Sequence, residues 1–299
     1  MNIRYNFKLI CLVAFFANSL CCFASVLKGK KVLFIGNSIT YYQGMPQTLQ
    51  KMFDEHNLKI KVDQYTMPGA MLVNAAKDLY DQKADIYRRA ERDEMPIAVH
   101  RILSENWDYV VLQEQNANLL LPEARRVSFE PSFLFLDSII KSRKAKTVLF
   151  EAYARQSDHF PYHFCVEKDD VDVAGSFYKA INTDPYRRSM VLSDYYCSKD
   201  FKSSADELAE IKYEVNKMAR ITNASVLNVG DAFLNFSKKH PDTPLIEKVG
   251  GHPTKEGAYL IASLFYKYFT KRTLKDVRYS ADINSKTAKA IREFVDSFK

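Results

Sequence analysis

Tryptophan, cysteine and long apolar runs are scarce in this chain of 299 residues. It has one Trp and five Cys, and three of those Cys lie within the first 22 residues. No Cys or His spacing is typical of a zinc site, so we expect neither a metal nor a cofactor. The net charge is +7, but no stripe of Lys and Arg is interleaved with aromatic residues. The charge therefore does not indicate a nucleic-acid partner.

The longest apolar run lies at the N-terminus, over residues 9–24. It is shorter than the roughly 20 residues that a membrane span needs. It follows Arg4 and Lys8 and ends at Ala24, which is the pattern of a secretory signal peptide. We expect residues 1–24 to be this signal peptide and residues 25–299 to form one exported domain, periplasmic or extracellular. Such a domain has no stable membrane span after cleavage; an uncleaved anchor is the alternative.

Short apolar runs alternate with helical patterns along the mature chain. Strands are predicted at 31–35, 59–65, 108–113, 146–151 and 225–229. Helices are predicted at 45–56, 96–106, 130–143, 203–222, 254–271 and 284–298. This alternation is typical of an α/β fold with a mostly parallel sheet built from right-handed βαβ units.

The segment 152–202 interrupts this alternation and is rich in aromatic residues. Long insertions after a strand often shape access to a substrate site. We interpret the segment as such an insertion; a self-packed cap without a ligand role is the alternative. It contains Cys165 and Cys197, the two cysteines that remain in the mature chain. In an oxidising compartment these two can pair, and two free buried thiols are the alternative.

The first candidate catalytic motif is a short strand that ends at a serine. The apolar run 32–35 is followed directly by Gly36-Asn37-Ser38. Ligands of an open α/β sheet bind beyond the carboxyl ends of its strands, so Ser38 is a candidate nucleophile. The alternative is a turn and helix cap, for which Asn and Ser are also suited.

A serine nucleophile needs a base within hydrogen-bond reach, and that base is usually histidine. Among six histidines, only His252 lies in a turn sequence, Gly-Gly-His-Pro-Thr over 250–254, before the apolar run 258–262. The glycines permit a tight turn, and Pro-Thr is typical of a helix start. His252 is therefore the candidate base; a histidine that merely fills a helix entry is the alternative.

These two motifs, in this order, resemble those of the SGNH (GDSL-type) hydrolases, over roughly residues 30 to 270. The resemblance implies a flavodoxin-like three-layer α/β/α sandwich with a five-stranded sheet. It also implies that Ser38 is the nucleophile and His252 its base. The second block of the family is a glycine whose N–H helps to form the oxyanion hole with that of the serine. The matching residue is Gly69, in Met67-Pro68-Gly69-Ala70.

The third block departs from the family pattern. In place of Gly-x-Asn-Asp, the strand near Leu112 runs into Gln113-Glu114-Gln115-Asn116. The resulting Leu-Gln-Glu-Gln sequence is similar to that of a divergent bacterial branch. Because Gln and Asn both carry a donating amide, either type can supply the third oxyanion donor. We expect Gln115 in this role, with Asn116 next and Gln113 also available.

The residue that usually orients the histidine is also different. The family has Asp three residues before the His, and this chain has Val249 there. A backbone carbonyl can orient the ring instead and leave a Ser–His dyad. Alternatively, the acid Glu247 can reach in from the same loop. The third alternative is a degenerate site.

The resemblance implies a serine esterase that needs no cofactor and acts on a small-molecule or glycan ester. Export and the aromatic insertion favour carbohydrate deacetylation over lipase activity. The alternative is a glycan-binding protein that kept the fold and lost the chemistry. The sequence does not indicate an oligomeric state.

Overall fold

The computed structural model describes residues 29–85, 105–156, 159–167 and 195–298. The predicted signal peptide at 1–24 lies outside the described residues, as does nearly all of the predicted helix at 96–106. In the part of the chain that is described, no helix has both the length and the apolar character to cross a membrane.

Five parallel strands form the central sheet, and each lies where the sequence predicts a strand. They are β1 (Lys30–Gly36), β2 (Ile60–Thr66), β3 (Tyr109–Leu112), β4 (Lys146–Glu151) and β7 (Ser225–Asn228). Their spatial order is β2-β1-β3-β4-β7, with every neighbouring pair parallel. This is the flavodoxin-like strand order: β2 is added on one side of β1, and the later strands are added on the other side, beginning with β3. The predicted fold class is confirmed.

Helices cover both faces of the sheet. The helices are α1 (Ser38–Tyr41), α2 (Met45–Glu55), α3 (Leu72–Asp85), α4 (Asn116–Leu120), α5 (Pro122–Ala124), α6 (Glu130–Ser142), α7 (Ser204–Thr222), α8 (Val229–Lys239), α9 (Lys255–Thr270) and α10 (Ser285–Ser297). Of the longer ones, α3 and α8 were not predicted. Helix α8 begins directly after β7: Asn228 ends the strand and is also the N-cap of the helix, so no loop separates the two elements.

The alternation of side chains along β1 shows how the three layers form. Val32 and Phe34 pack into one apolar cluster, which contains residues of α2, α8, α9 and α10. Leu33 and Ile35 point to the opposite face and pack into a second cluster, with residues of α3, α6 and α7. All four side chains are buried, as expected for a central strand covered on both faces.

The described part of the insertion forms a small antiparallel hairpin. Strands β5 (Cys165–Glu167) and β6 (Tyr195–Cys197) pair, and a disulfide joins Cys165 to Cys197. Aromatic rings of this segment pack on one another: Tyr162 contacts Phe160 at 5.1 Å and Phe201 at 5.6 Å between ring centroids. The described part of the insertion also packs on the domain: Phe201 lies in the second apolar cluster, and Tyr196 packs with Leu121, Ala124 and Val127.

Candidate active site

Ser38 stands at the carboxyl end of β1, where the chain turns into α1. The Asn37 side chain accepts a hydrogen bond from the Ile39 N–H at 3.0 Å and caps the helix. Gly36 leaves no room for a side chain, because a Cβ there would lie 2.6 Å from Gln113 Oε1. The glycine thus lets the side chain of Gln113, just after β3, reach the Asn37 N–H.

His252 is brought to Ser38 from the other end of the chain. Its Nε2 lies 2.9 Å from Ser38 Oγ, which is hydrogen-bond distance. Gly250 and Gly251 precede the histidine with φ of +83° and +66°, a left-handed conformation that favours glycine. Thr254 then caps α9 by accepting from the Gly257 N–H. The turn and the helix start predicted around His252 are both present.

Three contacts hold the histidine and its loop. The Tyr42 ring stacks on the imidazole, with 4.4 Å between centroids and 15° between planes. The Tyr153 hydroxyl donates to the Gly251 carbonyl at 3.1 Å, and the Glu247 N–H donates to the His252 carbonyl at 2.8 Å. Burial, with a smaller contribution from the Glu247 charge, raises the pKa of the Tyr153 phenol. Tyr153 therefore stays protonated, and so remains a donor, across the working range of pH.

The turn that contains Gly69 is tied to the serine loop. Asn37 Nδ2 donates to the Ala70 carbonyl at 3.0 Å, and the Met67 N–H donates to the Gly36 carbonyl at 3.3 Å. The N–H of Ser38 lies at the first position of α1, where the helix supplies no acceptor. The N–H of Gly69 makes no backbone hydrogen bond to any residue that the structure describes. Two backbone donors are thus available beside the serine.

Two comparisons with known proteins find no match: none with protein-family models and none with curated proteins. Solved structures do match. A DUF4886 family protein from Bacteroides uniformis superposes with a TM-score of 0.60 at 15% identity, over 90% of this chain and 94% of that one. A candidate SGNH hydrolase from Slackia heliotrinireducens superposes with a TM-score of 0.51 at 17% identity, over 81% of this chain and 100% of that one.

The chain has the SGNH-hydrolase fold. At these identities the likeness concerns the fold, and the chemistry has to be argued from the side chains.

The side-chain amides of the candidate third block differ in whether they are already used in hydrogen bonds. The Gln113 side chain is buried; its Oε1 accepts from the Asn37 N–H at 2.9 Å, and its Nε2 donates to the Glu114 carbonyl at 2.6 Å. Asn116 Nδ2 donates to the Tyr153 carbonyl at 2.9 Å. The Gln115 amide has no hydrogen-bond partner among the described residues, so it is the amide best able to donate to a ligand.

The candidate orienting acid is not brought to the imidazole. The Glu247 carboxylate accepts from Gln43 Nε2 at 3.2 Å. Val249 is 85% exposed, so its position points towards solvent. Within the described ranges, no Asp or Glu oxygen lies within 4.0 Å of a His252 ring nitrogen. Among the described residues, Ser38 and His252 therefore pair without a carboxylate at the imidazole.

Two residues of the site were not singled out from the sequence. Tyr42 lies four residues after Ser38, and helical spacing would have placed the two on one face. Glu114 is buried at the end of β3 and accepts hydrogen bonds from the N–H groups of Gln115 at 2.7 Å and Leu72 at 3.3 Å. It joins the loop after β2 to the loop after β3. Burial raises its pKa to about 8, against the opposing effect of these donors.

Proposed function

We propose that this chain is an exported ester hydrolase with Ser38 as its nucleophile and His252 as its base. The observation that carries the proposal is the 2.9 Å contact between Ser38 Oγ and His252 Nε2, across 214 residues of sequence. A hydroxyl in contact with an imidazole, at the carboxyl edge of a parallel sheet, is the arrangement that nucleophilic acyl transfer needs.

The reaction proceeds in two halves. Ser38 Oγ attacks the acyl carbon while His252 Nε2 takes the hydroxyl proton, and a tetrahedral intermediate forms. His252 then returns the proton to the leaving alcohol, and the acyl group remains on Ser38 Oγ. Water, deprotonated by His252, attacks this acyl-enzyme, and collapse of the second intermediate releases the carboxylic acid and restores the serine.

The developing oxyanion receives three donors in this proposal. These are the N–H groups of Ser38 and Gly69 and the side-chain amide of Gln115, with Asn116 as the alternative amide. Loss of one oxyanion donor typically costs about 3 kcal/mol of transition-state stabilisation. The Gln115 amide and the Gly69 N–H support the assignment, because neither has a hydrogen-bond partner among the described residues.

For the substrate we propose a small acyl ester, with an acetylated carbohydrate favoured over a lipid. The predicted export supports this preference, since glycan esters are accessible outside the cell. The aromatic insertion supports it less, because its described rings pack on one another.

Hydrolysis of p-nitrophenyl acetate and butyrate by the chain from Ser25 onwards tests the proposal. We expect activity in the wild type and its loss in Ser38→Ala and His252→Ala. Ser138→Ala, an exposed serine on α6, and His163→Ala, an exposed histidine paired with Asp200, are the matched controls. Activity that persists in Ser38→Ala would refute the assignment. Acetate release from acetylated sugars then tests the substrate class.

The absence of a described carboxylate at His252 favours one second candidate, a glycan-binding protein without catalysis. It predicts no hydrolysis of any ester by the folded wild type. It also predicts that calorimetric titration with acetylated oligosaccharides gives the same binding for the wild type and for Ser38→Ala.

A further inference from the structure

We propose that Tyr42 is the positioning residue for the His252 imidazole, in the role that a carboxylate fills elsewhere. The proposal rests on the proposed function, because it concerns the base of the same reaction. Tyr42 stacks on the face of the imidazole and acts through the histidine.

The need for such a residue follows from the histidine side chain itself. The torsion that rotates an imidazole about its Cβ–Cγ bond is broad and has no sharp intrinsic minimum. The hydrogen bond from Ser38 to Nε2 fixes one point of the ring and leaves rotation about that point. Gly250 lies at the Nδ1 edge, where an added Cβ would be 3.1 Å from Nδ1. No described carboxylate reaches either nitrogen.

The stacked Tyr42 ring supplies the missing restraint. Its plane lies within 15° of the imidazole plane, and the centroids are 4.4 Å apart. Rotation of the imidazole out of this plane would drive a ring edge into the face of the tyrosine. The stack therefore fixes the direction in which Nε2 points.

Ser38 and Tyr42 lie at the two ends of the same helical turn, α1 and its cap. The Tyr42 N–H donates to the Ser38 carbonyl as the cap of α1, so the two residues form one rigid unit. The neighbouring Gln43 holds Glu247 on the histidine loop by the 3.2 Å contact described above. Any shift of α1 therefore moves the nucleophile and the restraint on its base together.

Kinetics of p-nitrophenyl acetate hydrolysis test this role with two substitutions. Tyr42→Phe keeps the stacked face, and we expect kcat within about twofold of the wild type. Tyr42→Leu removes the face, and we expect kcat to fall about three- to tenfold with KM unchanged, the range that an aromatic pair typically supplies. Tyr213→Leu, an exposed tyrosine on α7, is the control and should match the wild type.

The outcomes separate positioning from mere folding. Equal thermal unfolding of the Tyr42 variants, with a loss of kcat only in Tyr42→Leu, supports the proposal. An unchanged kcat in Tyr42→Leu would overturn it, as would an equal loss in Tyr42→Phe. So would a rise in KM that accounts for the whole effect.

An NMR measurement tests the inference even if the proposed esterase activity fails. Ring-current shifts of the His252 carbon-bound protons and the 15N shifts of its ring nitrogens report the orientation and tautomer of the imidazole. We expect one well-defined ring in the wild type and in Tyr42→Phe, and averaged signals in Tyr42→Leu. Identical spectra in all three proteins would overturn the inference, whether or not any ester is hydrolysed.

Discussion

Replacement of Glu114 by Gln should change how the stability of the protein depends on pH. Its carboxyl is buried between the loop after β2 and the loop after β3, and it accepts from Gln115 N, Leu72 N and Asn118 Nδ2. Burial raises its pKa from 4.5 to about 8, although these donors favour the charged form. The folded protein therefore holds a proton here that the unfolded chain releases at much lower pH.

The sign and size of the effect follow from proton linkage. Between pH 4.5 and about 8 the folded state binds this proton and the unfolded state does not. Stability must therefore fall as pH rises through this window, by about 1.4 kcal/mol per pH unit at most. Over the whole window the loss from Glu114 is on the order of 5 kcal/mol, and it ends once the folded carboxyl ionises near pH 8. Below pH 4.5 the contribution is fully present.

Urea unfolding at several values between pH 5.5 and 7.5 measures this slope. Gln cannot ionise, so Glu114→Gln should lose stability with pH less steeply than the wild type, by about 1.4 kcal/mol per unit. In Glu114→Gln the amide nitrogen replaces the oxygen that accepts from the Leu72 N–H, so two donors face each other. This should lower the free energy of unfolding by about 1–3 kcal/mol at low pH. Glu293→Gln, an exposed glutamate on α10, is the control and should keep the wild-type slope. Parallel curves for wild type and Glu114→Gln would refute the reasoning.

Three further variants test two contacts around the site and the disulfide of the insertion. Tyr153→Phe removes the donor to the Gly251 carbonyl; we expect a severalfold loss of kcat on p-nitrophenyl acetate, and wild-type kcat would contradict a role for this bond. Gly36→Ala places a Cβ 2.6 and 2.7 Å from two side-chain oxygens, and should cost about 1–3 kcal/mol in urea unfolding. Replacement of Cys165 and Cys197 by Ser opens a link between residues 32 apart and should cost about 3–4 kcal/mol, measured against the wild type with and without reductant.

The sheet could be predicted from the sequence because its strands are short apolar or alternating runs bounded by polar or turn residues. Val32 to Ile35 is an example, because a strand buried on both faces is apolar at every position. A run of only four apolar residues is also shorter than a typical helix. Helix α8 could not be predicted in the same way. Its apolar residues continue directly from β7, and Gly230 inside it lowers the helical signal.

The site was predictable only where a backbone turn accompanied the functional side chain. Ser38 follows an apolar strand that ends at Gly36, and His252 follows the turn at Gly250 and Gly251, so the sequence marks both as special positions. The amide donors of the third block carry no such mark. Gln113 and Gln115 differ by two residues, and only the structure separates the buried Gln113, bonded to Asn37 and Glu114, from the free amide of Gln115.

The absence of the usual acid at position 249 has a physical meaning that the sequence comparison alone misses. Val249 does not bury an apolar group in the place of a carboxylate, because it is 85% exposed. Gly250 and Gly251 lie between Val249 and His252 in left-handed conformations, and His252 Nε2 contacts Ser38 Oγ. With the Nδ1 edge lined by a glycine, the restraint on the imidazole comes from its face, where Tyr42 lies. An Asp at position 249 would thus place a carboxylate in solvent, so we look for the orienting contact at Tyr42, the residue that caps α1.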